Sequence, residues 1–220
     1  MSDIEAVKAS GLFSSLDEAD KSRLFQVLKT KQLQDGEILF YENATIDRVY
    51  FLVSGSVKSY KVNRFHNEIF LFRQNTAGLI TLYTPFSFKS LSQFFSNLES
   101  IGTSLVASIE RDQVDNLCVS APNIGKLFFQ MFADRLLILQ NIITRDMVYD
   151  SIAKVAYTID KKPEEFKTYK KQEVAYMLNI QPETLSRILG RLKSEKVVVE
   201  EKRGDFTVKN RAALKGYYEL

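Results

Sequence analysis

Apolar residues along the chain follow two different periods, and the change between them divides the sequence. The first thirty residues have helical spacing, with Asp17 or Ser15 available as a helix cap. From residue 31 to about residue 109, short alternating runs replace that spacing, and they are separated by turn signals such as Asp-Gly at 35–36 and Ser-Gly at 54–55. Several short strands at close spacing predict an antiparallel roll or barrel.

The period becomes helical again between about residues 122 and 159, and here the apolar stripe is unusually wide. A stripe of this width indicates two partners, one being the roll of the same chain and the other a second copy packed as a parallel coiled coil. Asp134, Arg135 and Asn141 interrupt the heptad register. A shift of pattern at 149–151 predicts a hinge. The residues predicted for the dimer helix are Leu127, Met131, Ile138 and Ile142.

Residues 171–192, KQEVAYMLNIQPETLSRILGRL, have the pattern of a helix-turn-helix. Two short helices that meet at a steep angle need apolar residues at their contact and a small residue, here Ala175, at their closest approach. Asn179 tolerates positive φ in the turn, and Pro182 suits the first turn of the next helix. The apolar positions of this template are Val174, Leu178, Ile180, Leu185 and Ile188.

Three polar residues of the second helix share one outward face. Glu183, Ser186 and Arg187 stand at i, i+3 and i+4. Glu accepts a hydrogen bond from cytosine N4 and Arg binds guanine O6 and N7, each worth roughly 1–3 kcal/mol of discrimination. The alternative is an intrahelical ion pair between Glu183 and Arg187, worth about 0.2–0.5 kcal/mol. We favour base reading because the apolar template is complete and a hairpin follows it.

That hairpin is predicted from the short apolar runs at 197–199 and 206–208, with a positively charged tip between them. A charged tip is ordinarily just solvated, but directly after a recognition helix it lies where phosphates pass. We therefore interpret it as the wing of a winged helix. The residues predicted to contact the DNA backbone are Lys170, Lys171, Gln172, Thr184, Arg191, Lys202 and Arg203.

Charge is distributed unevenly over the 220 residues, whose formal net charge is +3. Residues 151–220 hold 15 Lys or Arg and 10 Asp or Glu, a net of +5, whereas residues 1–150 hold 15 and 17, a net of −2. The half with the helix-turn-helix is therefore the basic half, as expected for DNA binding. No uninterrupted apolar run reaches eighteen residues and the N-terminus lacks a signal-peptide layout, so we expect a cytoplasmic protein with no membrane partner.

The residues that carry most catalytic and metal chemistry are scarce. A single cysteine, Cys118, excludes a disulfide and a multi-cysteine metal site or iron–sulfur cluster within one chain, and we expect it to be a small buried apolar residue rather than a redox sensor. The single histidine, His66, lies in a charged turn and is expected to be solvated. No phosphate loop or nucleophile–base pair is present, so we predict no catalytic residues, no metal site and no enzyme activity.

The order of these features resembles the Crp/Fnr superfamily, the bacterial transcription regulators that include the cyclic-AMP receptor and the fumarate-nitrate regulator. The resemblance covers nearly the whole chain, and rests on GLF at 11–13, DGEILF at 35–40, YFLVSGSVK at 50–58, residues 150–156 and the helix-turn-helix. It implies an α+β fold with an antiparallel, cupin-like β-roll sensor domain (1–120), a dimerisation helix (121–149) and a winged helix-turn-helix (150–220). The implied partners are double-stranded DNA, a second copy of the chain and RNA polymerase.

The recognition helix is similar to that of the oxygen-sensing branch, which carries E-x-x-S-R. Glu183, Ser186 and Arg187 match this motif position by position. The resemblance implies a half-site similar to TTGA, read as an inverted repeat by a dimer. Pro182 departs from the basic residue of the cyclic-AMP receptor, which removes the basis for a first-base contact.

The sensor region departs further from the family. Residues 78–102 have neither the Gly-Glu pair nor the Arg-Ser pair that bind ribose and cyclic phosphate, and Lys89 is their only cation. The four-cysteine cluster of the oxygen sensors is also missing. We therefore predict a signal other than cyclic AMP, and no cofactor.

Aromatic residues occupy this region instead: Tyr83, Phe86, Phe88, Phe94 and Phe95. They form either a collapsed aromatic core or an apolar effector pocket for haem or another flat ligand, with His66 or Tyr83 as a remote candidate for an iron ligand. The favoured function is a homodimeric, sequence-specific transcription regulator. The alternative is a small-molecule or haem-binding sensor module with weak or vestigial DNA binding.

Overall fold

The computed structural model describes residues 2–81 and 93–219. The chain divides into two compact units, Met1–Leu139 and Gln140–Leu220, and the division falls inside one long helix. The elements up to this helix are α1 (Asp3–Ala9), α2 (Glu18–Val27), β1 (Lys29–Leu33), β2 (Ile38–Phe40), β3 (Arg48–Val62), β4 (Glu68–Gln74), β5 (Gly78–Leu79), β6 (Asn97–Glu110), α3 (Arg111–Ser120) and α4 (Pro122–Ile143).

An antiparallel sheet forms the body of the N-terminal unit, as predicted. Its strands, in the part that the structure describes, run in the order β1-β6-β3-β4, with β2 added to β6 and β5 to β3. The pairing of β3 with β6 shifts register around Gly55. Gly55 has φ 92°, and a Cβ there would lie 2.5 Å from Ser104 Oγ, so this bulge requires glycine.

The core of the N-terminal unit is built on β3. Phe13, from the turn between α1 and α2, and Phe128, from α4, pack edge-on against Phe51 with ring centroids at 5.6 and 5.7 Å. Asp17 caps the start of α2 by accepting a hydrogen bond from the Asp20 amide at 2.8 Å. The N-terminal helices and α4 therefore share one apolar core with the sheet.

Helix α4 leaves large apolar side chains on the surface of the single chain. Ile124 and Phe128 are buried, but Phe129, Leu136 and Ile143 are 68%, 47% and 56% exposed. By length and composition alone, the stretch Pro122–Val148 is also long and apolar enough to cross a membrane. One side of α4 is part of the roll core. Its exposed apolar side is therefore better explained by packing against a protein partner than by a membrane span.

The C-terminal unit contains a π-helix (Thr144–Val148), α5 (Ser151–Lys161), α6 (Pro163–Thr168), α7 (Lys171–Met177), α8 (Pro182–Ser194), β7 (Val198–Lys202), β8 (Asp205–Val208) and α9 (Arg211–Lys215). The helical pattern of 122–159 is interrupted by the π-helix and by extended backbone at Tyr149 and Asp150, which lie within the segment 149–151 predicted as a hinge. Asp150 then caps α5, since its carboxylate accepts from the Ala153 amide at 2.9 Å.

The strands of the wing differ from the predicted runs at 197–199 and 206–208. Val197 is not part of β7, because its carbonyl accepts from the Lys209 and Asn210 amides and its own amide donates to the Leu192 carbonyl. The strand extends instead to Lys202, which stands opposite Asp205, the first residue of β8. An apolar run locates the strand pair but not its ends.

The end of α5 is tied to the C-terminal segment through the buried carboxylate of Asp160. It accepts hydrogen bonds from Tyr218 Oη at 2.6 Å and Arg211 Nε at 3.0 Å, and pairs with Lys161 Nζ at 2.9 Å. Burial raises the pKa of Asp160, but these three partners outweigh it and lower the pKa from 3.8 to about 2.

We predict that the free energy of unfolding falls in acid as Asp160 becomes protonated. A depressed pKa contributes stability that is fully present above the unfolded value of 3.8 and is lost as the pH falls toward about 2. Asp160→Asn should lower the free energy of unfolding at pH 7 and flatten its decline over that window, as measured by circular dichroism in urea. The matched control is Glu183→Gln, an exposed acid that forms no ion pair with a described residue. Equal acid dependence of the Asp160→Asn variant and the native chain would contradict the prediction.

Candidate nucleic-acid interface

The turn between α7 and α8 has the geometry that the sequence predicted. Asn179 adopts φ 53°. Its amide donates to the Tyr176 carbonyl at 3.0 Å, and the Ile180 amide donates to the Ala175 carbonyl at 3.1 Å. Gln181 is extended and Pro182 is the first residue of α8, where a missing N–H has no intrahelical partner to lose.

The contact between the two helices is closely packed. Ala175 is completely buried, which allows α7 and α8 to approach each other. The predicted template residues Val174, Leu178, Leu185 and Ile188 are buried in the core of the C-terminal unit, and Ile180 is partly buried against it. This packing fixes the direction in which the outer face of α8 points.

The three predicted base-reading residues lie together on that outer face. Glu183, Ser186 and Arg187 are exposed, while Leu185 and Ile188 on the opposite side are buried. Within the described part of the chain, no ion pair joins Glu183 to Arg187 or engages either with another residue. The intrahelical ion pair that was the alternative is therefore not formed.

The predicted backbone-contact residues fall into two groups. Lys170, Gln172, Lys202 and Arg203 are exposed, and Thr184 is half-buried. Arg191 is exposed but already engaged, because its Nε donates to Glu195 Oε1 at 2.8 Å and its guanidinium lies 5.7 Å from the Tyr217 ring centroid. Lys171 is also paired, with Glu200 at 3.6 Å. Phosphate contacts by these two residues would have to compete with intramolecular ion pairs.

Glu200 organises this surface, and sequence reasoning missed it. Its carboxylate pairs with Lys193 of α8 at 2.9 Å and Lys171 of α7 at 3.6 Å, and it accepts from the Gly204 amide at 3.1 Å. Burial raises the pKa of Glu200, but these partners outweigh it and hold the pKa below its ordinary value. One carboxylate thus links both helices of the motif to the wing. The hairpin pattern alone does not identify it, since its link to α7 is a contact with Lys171, 29 residues earlier in the chain.

The wing tip is held against α6. Gly204 has φ 79°, and a Cβ at this position would lie 2.1 Å from the Phe166 carbonyl oxygen. The rings of Phe166 and Phe206 pack edge-on at 5.2 Å. Lys202 and Arg203 stay exposed beside this anchored turn, so their positive charges are presented from a fixed position.

Asp146, in the π-helix, is a second carboxylate that the sequence did not identify. It accepts from Lys154 Nζ at 3.2 Å and Asn179 Nδ2 at 3.5 Å, and it pairs with its neighbour Arg145. Burial raises the pKa of Asp146, but the hydrogen bonds from Arg145 and Lys154 outweigh it and lower the pKa. Because Asn179 is the positive-φ residue of the helix-turn-helix, the π-helix is bonded directly to the turn.

The candidate effector region is only partly within the described residues. Tyr83, Phe86 and Phe88 lie outside them. Phe94 is buried and its ring lies 4.8 Å from that of Phe40 and 5.6 Å from that of Phe95, as in a collapsed aromatic core.

The other candidate ligand residues are not arranged as a site. His66 is exposed at φ 61° in the turn between β3 and β4. Burial, with a smaller contribution from Asp115, raises the pKa of the Cys118 thiol to about 11, which disfavours the reactive thiolate. Among the residues that the structure describes, no group of three or more His, Cys, Asp or Glu side chains could hold a metal ion.

Comparisons with known proteins agree with this architecture. A family model described as a Crp-like helix-turn-helix domain matches residues 135–217. The fumarate and nitrate reduction regulatory protein of Yersinia pestis is 24% identical over 214 residues, which cover 91% of this chain and 83% of that protein. The protein of the same name from Escherichia coli (strain K12) is 24% identical over 213 residues, with the same shares covered.

Two solved structures are similar over most of their length. A CooA mutant from Carboxydothermus hydrogenoformans superposes with a TM-score of 0.73 at 15% identity, covering 94% of each chain. FixK2 from Bradyrhizobium japonicum superposes with a TM-score of 0.64 at 16% identity, covering 88% of this chain and 98% of that one. The predicted α+β fold, with an N-terminal antiparallel sheet and a C-terminal helix-turn-helix, is confirmed.

Substitution by alanine should have opposite effects on the free energy of unfolding at Gly204, which lies close to α6, and at Gly190, which lies on α8. Gly204→Ala introduces a clash with backbone and a strained φ, so it should lower the free energy of unfolding by more than about 1 kcal/mol. Gly190, on the exposed side of α8, has nothing within 4 Å of a Cβ. Gly190→Ala should raise the free energy by about 0.5–1 kcal/mol. Urea unfolding followed by circular dichroism measures both, and a tolerated Gly204→Ala would contradict the wing geometry.

Proposed function

We propose that this chain, which belongs to the Crp/Fnr superfamily of transcription regulators, acts as a homodimer that reads an inverted repeat of TTGA-like half-sites. DNA binding and transcription regulation are the functions of its type. The dimer, the half-site and control by a signal other than cyclic AMP are the proposal. We place the protein in the cytoplasm, with double-stranded DNA and RNA polymerase as partners, and without enzyme activity.

The outer face of α8 carries the half-site proposal. Glu183, Ser186 and Arg187 match E-x-x-S-R, are exposed on one helical face, and have no ion pair within the described chain. A carboxylate and a guanidinium that are not satisfied internally keep their hydrogen-bonding capacity for cytosine and guanine edges. The packing of α7 against the opposite face and the anchored wing both support presentation of these residues to a major groove.

The exposed side of α4 supports the dimer. Apolar residues recur there with alternating spacings of three and four, the pattern of a coiled-coil seam. Leu127 and Met131, predicted for the dimer, pack partly against the core of their own roll, and Ile138 lies on the same side of α4 as they do. We therefore assign the dimer contact to another side of the helix. The proposed seam residues are Phe129, Phe132, Leu136, Leu139 and Ile143.

We predict that Arg187→Ala weakens binding to a TTGA inverted repeat by about 1–3 kcal/mol per half-site and reduces the preference over scrambled DNA, because a bidentate guanine contact is lost. Gel shift at fixed salt measures both quantities. Lys209→Ala is the control, since it removes one positive charge from an exposed residue outside the recognition helix. It should weaken both DNAs about equally.

The same assay tests the alternative of a sensor module with vestigial DNA binding. A native protein that binds the repeat and scrambled DNA equally would exclude the TTGA half-site. A native protein that binds neither DNA above background would favour the sensor module. Retained discrimination after Arg187→Ala would remove this residue from the base-reading set.

We predict that Leu136→Glu converts the dimer into a monomer, because it places two carboxylates against each other in an apolar seam. Self-association should weaken by more than about 100-fold, or about 3 kcal/mol. Leu137→Glu is the matched control, an adjacent leucine that is 58% exposed and lies off the seam. Sedimentation equilibrium measures both variants. Equal weakening by the two substitutions, or none by Leu136→Glu, would refute the seam.

A further inference from the structure

Several cations that flank the recognition helix α8 are already paired with carboxylates of the same unit. Lys171, in the first turn of α7, and Lys193, in the last turn of α8, pair with Glu200 at 3.6 and 2.9 Å. Arg191, also in the last turn of α8, pairs with Glu195 at 2.8 Å. The positive charge of this half of the chain is therefore only partly available to a polyanion.

The two lysines paired with Glu200 lie on elements that pass close to phosphates in a helix-turn-helix. In this motif the second helix enters the major groove, while the first helix crosses the DNA backbone. Lys171 opens that first helix, and Lys193 is linked through Glu200 to the wing, which carries the exposed Lys202 and Arg203. Without a neighbouring carboxylate, both ammonium groups would be expected to bind phosphate oxygens.

Glu200 is held more firmly than the carboxylate of an ordinary surface ion pair. Its side chain is 16% exposed, whereas that of Glu195 is 39% exposed. Its Oε1 accepts from the Gly204 amide at 3.1 Å, and Gly204 itself lies directly against the Phe166 carbonyl. Oε2 pairs with Lys193. Exposed ion pairs are weak and easily exchanged, but a carboxylate anchored by backbone is not readily displaced by a phosphate.

We propose that Glu200 is an internal counter-ion that takes the place of a DNA phosphate beside Lys171 and Lys193. The proposal rests on DNA binding by this chain but not on the TTGA half-site, because phosphate contacts carry no direct sequence information. Two lysines share one carboxylate, so each DNA-binding unit forms about one phosphate contact fewer than its lysines would allow. Its consequence is weaker sequence-independent binding and a shallower salt dependence, since fewer counter-ions are released from the DNA.

The test measures the salt dependence of DNA binding by the full-length protein, on a TTGA inverted repeat and a scrambled duplex, from about 50 to 200 mM sodium chloride. Glu200→Gln keeps the size of the side chain and an oxygen for the Gly204 amide, but removes the charge. Both duplexes should bind more tightly at the lowest salt, with an unchanged ratio of affinities. The slope of log affinity against log salt should steepen by about 0.9 for each DNA-binding unit. A merely structural role would weaken binding instead.

The matched control is Glu201→Gln, which removes the same charge from the next residue. Glu201 is exposed, and its Oε1 accepts from Thr207 Oγ1 at 2.8 Å without an ion pair to a described residue. This substitution frees no lysine, so the slope should stay at the native value. Equal steepening by Glu200→Gln and Glu201→Gln would assign the effect to net charge alone and overturn the internal counter-ion.

A second pair of variants keeps the test decisive if Glu200→Gln folds poorly. Lys193→Gln and Lys202→Gln each remove one exposed cation, but Lys202 forms no ion pair with a described residue. Lys193→Gln should flatten the slope by less than half as much as Lys202→Gln, because Lys193 is already paired within the chain. Equal flattening by the two, or an unchanged slope in folded Glu200→Gln, also overturns the proposal.

The same measurements separate this proposal from the proposed function. A native chain that binds both duplexes with equal affinity refutes the TTGA half-site, while the slope of Glu200→Gln still decides the role of Glu200. A native chain that binds neither duplex at the lowest salt refutes both.

Discussion

Helix α4 has more apolar surface than its own roll can bury, and the organisation of the molecule depends on this excess. One side, with Ile124 and Phe128, closes the core built on β3. The other side leaves Phe129, Leu136 and Ile143 exposed in the single chain. Exposure of this kind is unfavourable in water, and pairing of two such helices removes it.

Buried and half-buried carboxylates set the geometry of the C-terminal unit. Asp146 bonds the π-helix to the turn of the motif, Asp160 bonds α5 to the C-terminal segment, and Glu200 bonds α7, α8 and the wing. Desolvation alone would disfavour each charge, but the hydrogen bonds and cations around it more than offset that cost. Glu183 and Arg187, on the outer face of α8, take no part in these ion pairs within the described chain.

Arg135 is an exception to this pairing of buried charges. In the described part of the C-terminal unit the buried charges are paired, whereas the guanidinium of Arg135, in the N-terminal unit, has one hydrogen bond and no ion pair with a described residue. In the sequence it counted only as an interruption of the heptad register. The structure shows that it belongs to the side of α4 that faces the roll, which is why the apolar period breaks there.

The sequence by itself determined the elements whose signals are local. The helix-turn-helix followed from Ala175, Asn179 and Pro182, because small size, tolerance of positive φ and a missing N–H are properties of single residues. The alternating runs likewise determined an antiparallel sheet. Only the tertiary structure decided which side of α4 is free, where the wing strands end, and that Glu200 and Arg135 occupy central positions. Those outcomes depend on contacts between residues far apart in the chain, and no local period encodes the identity of a distant partner.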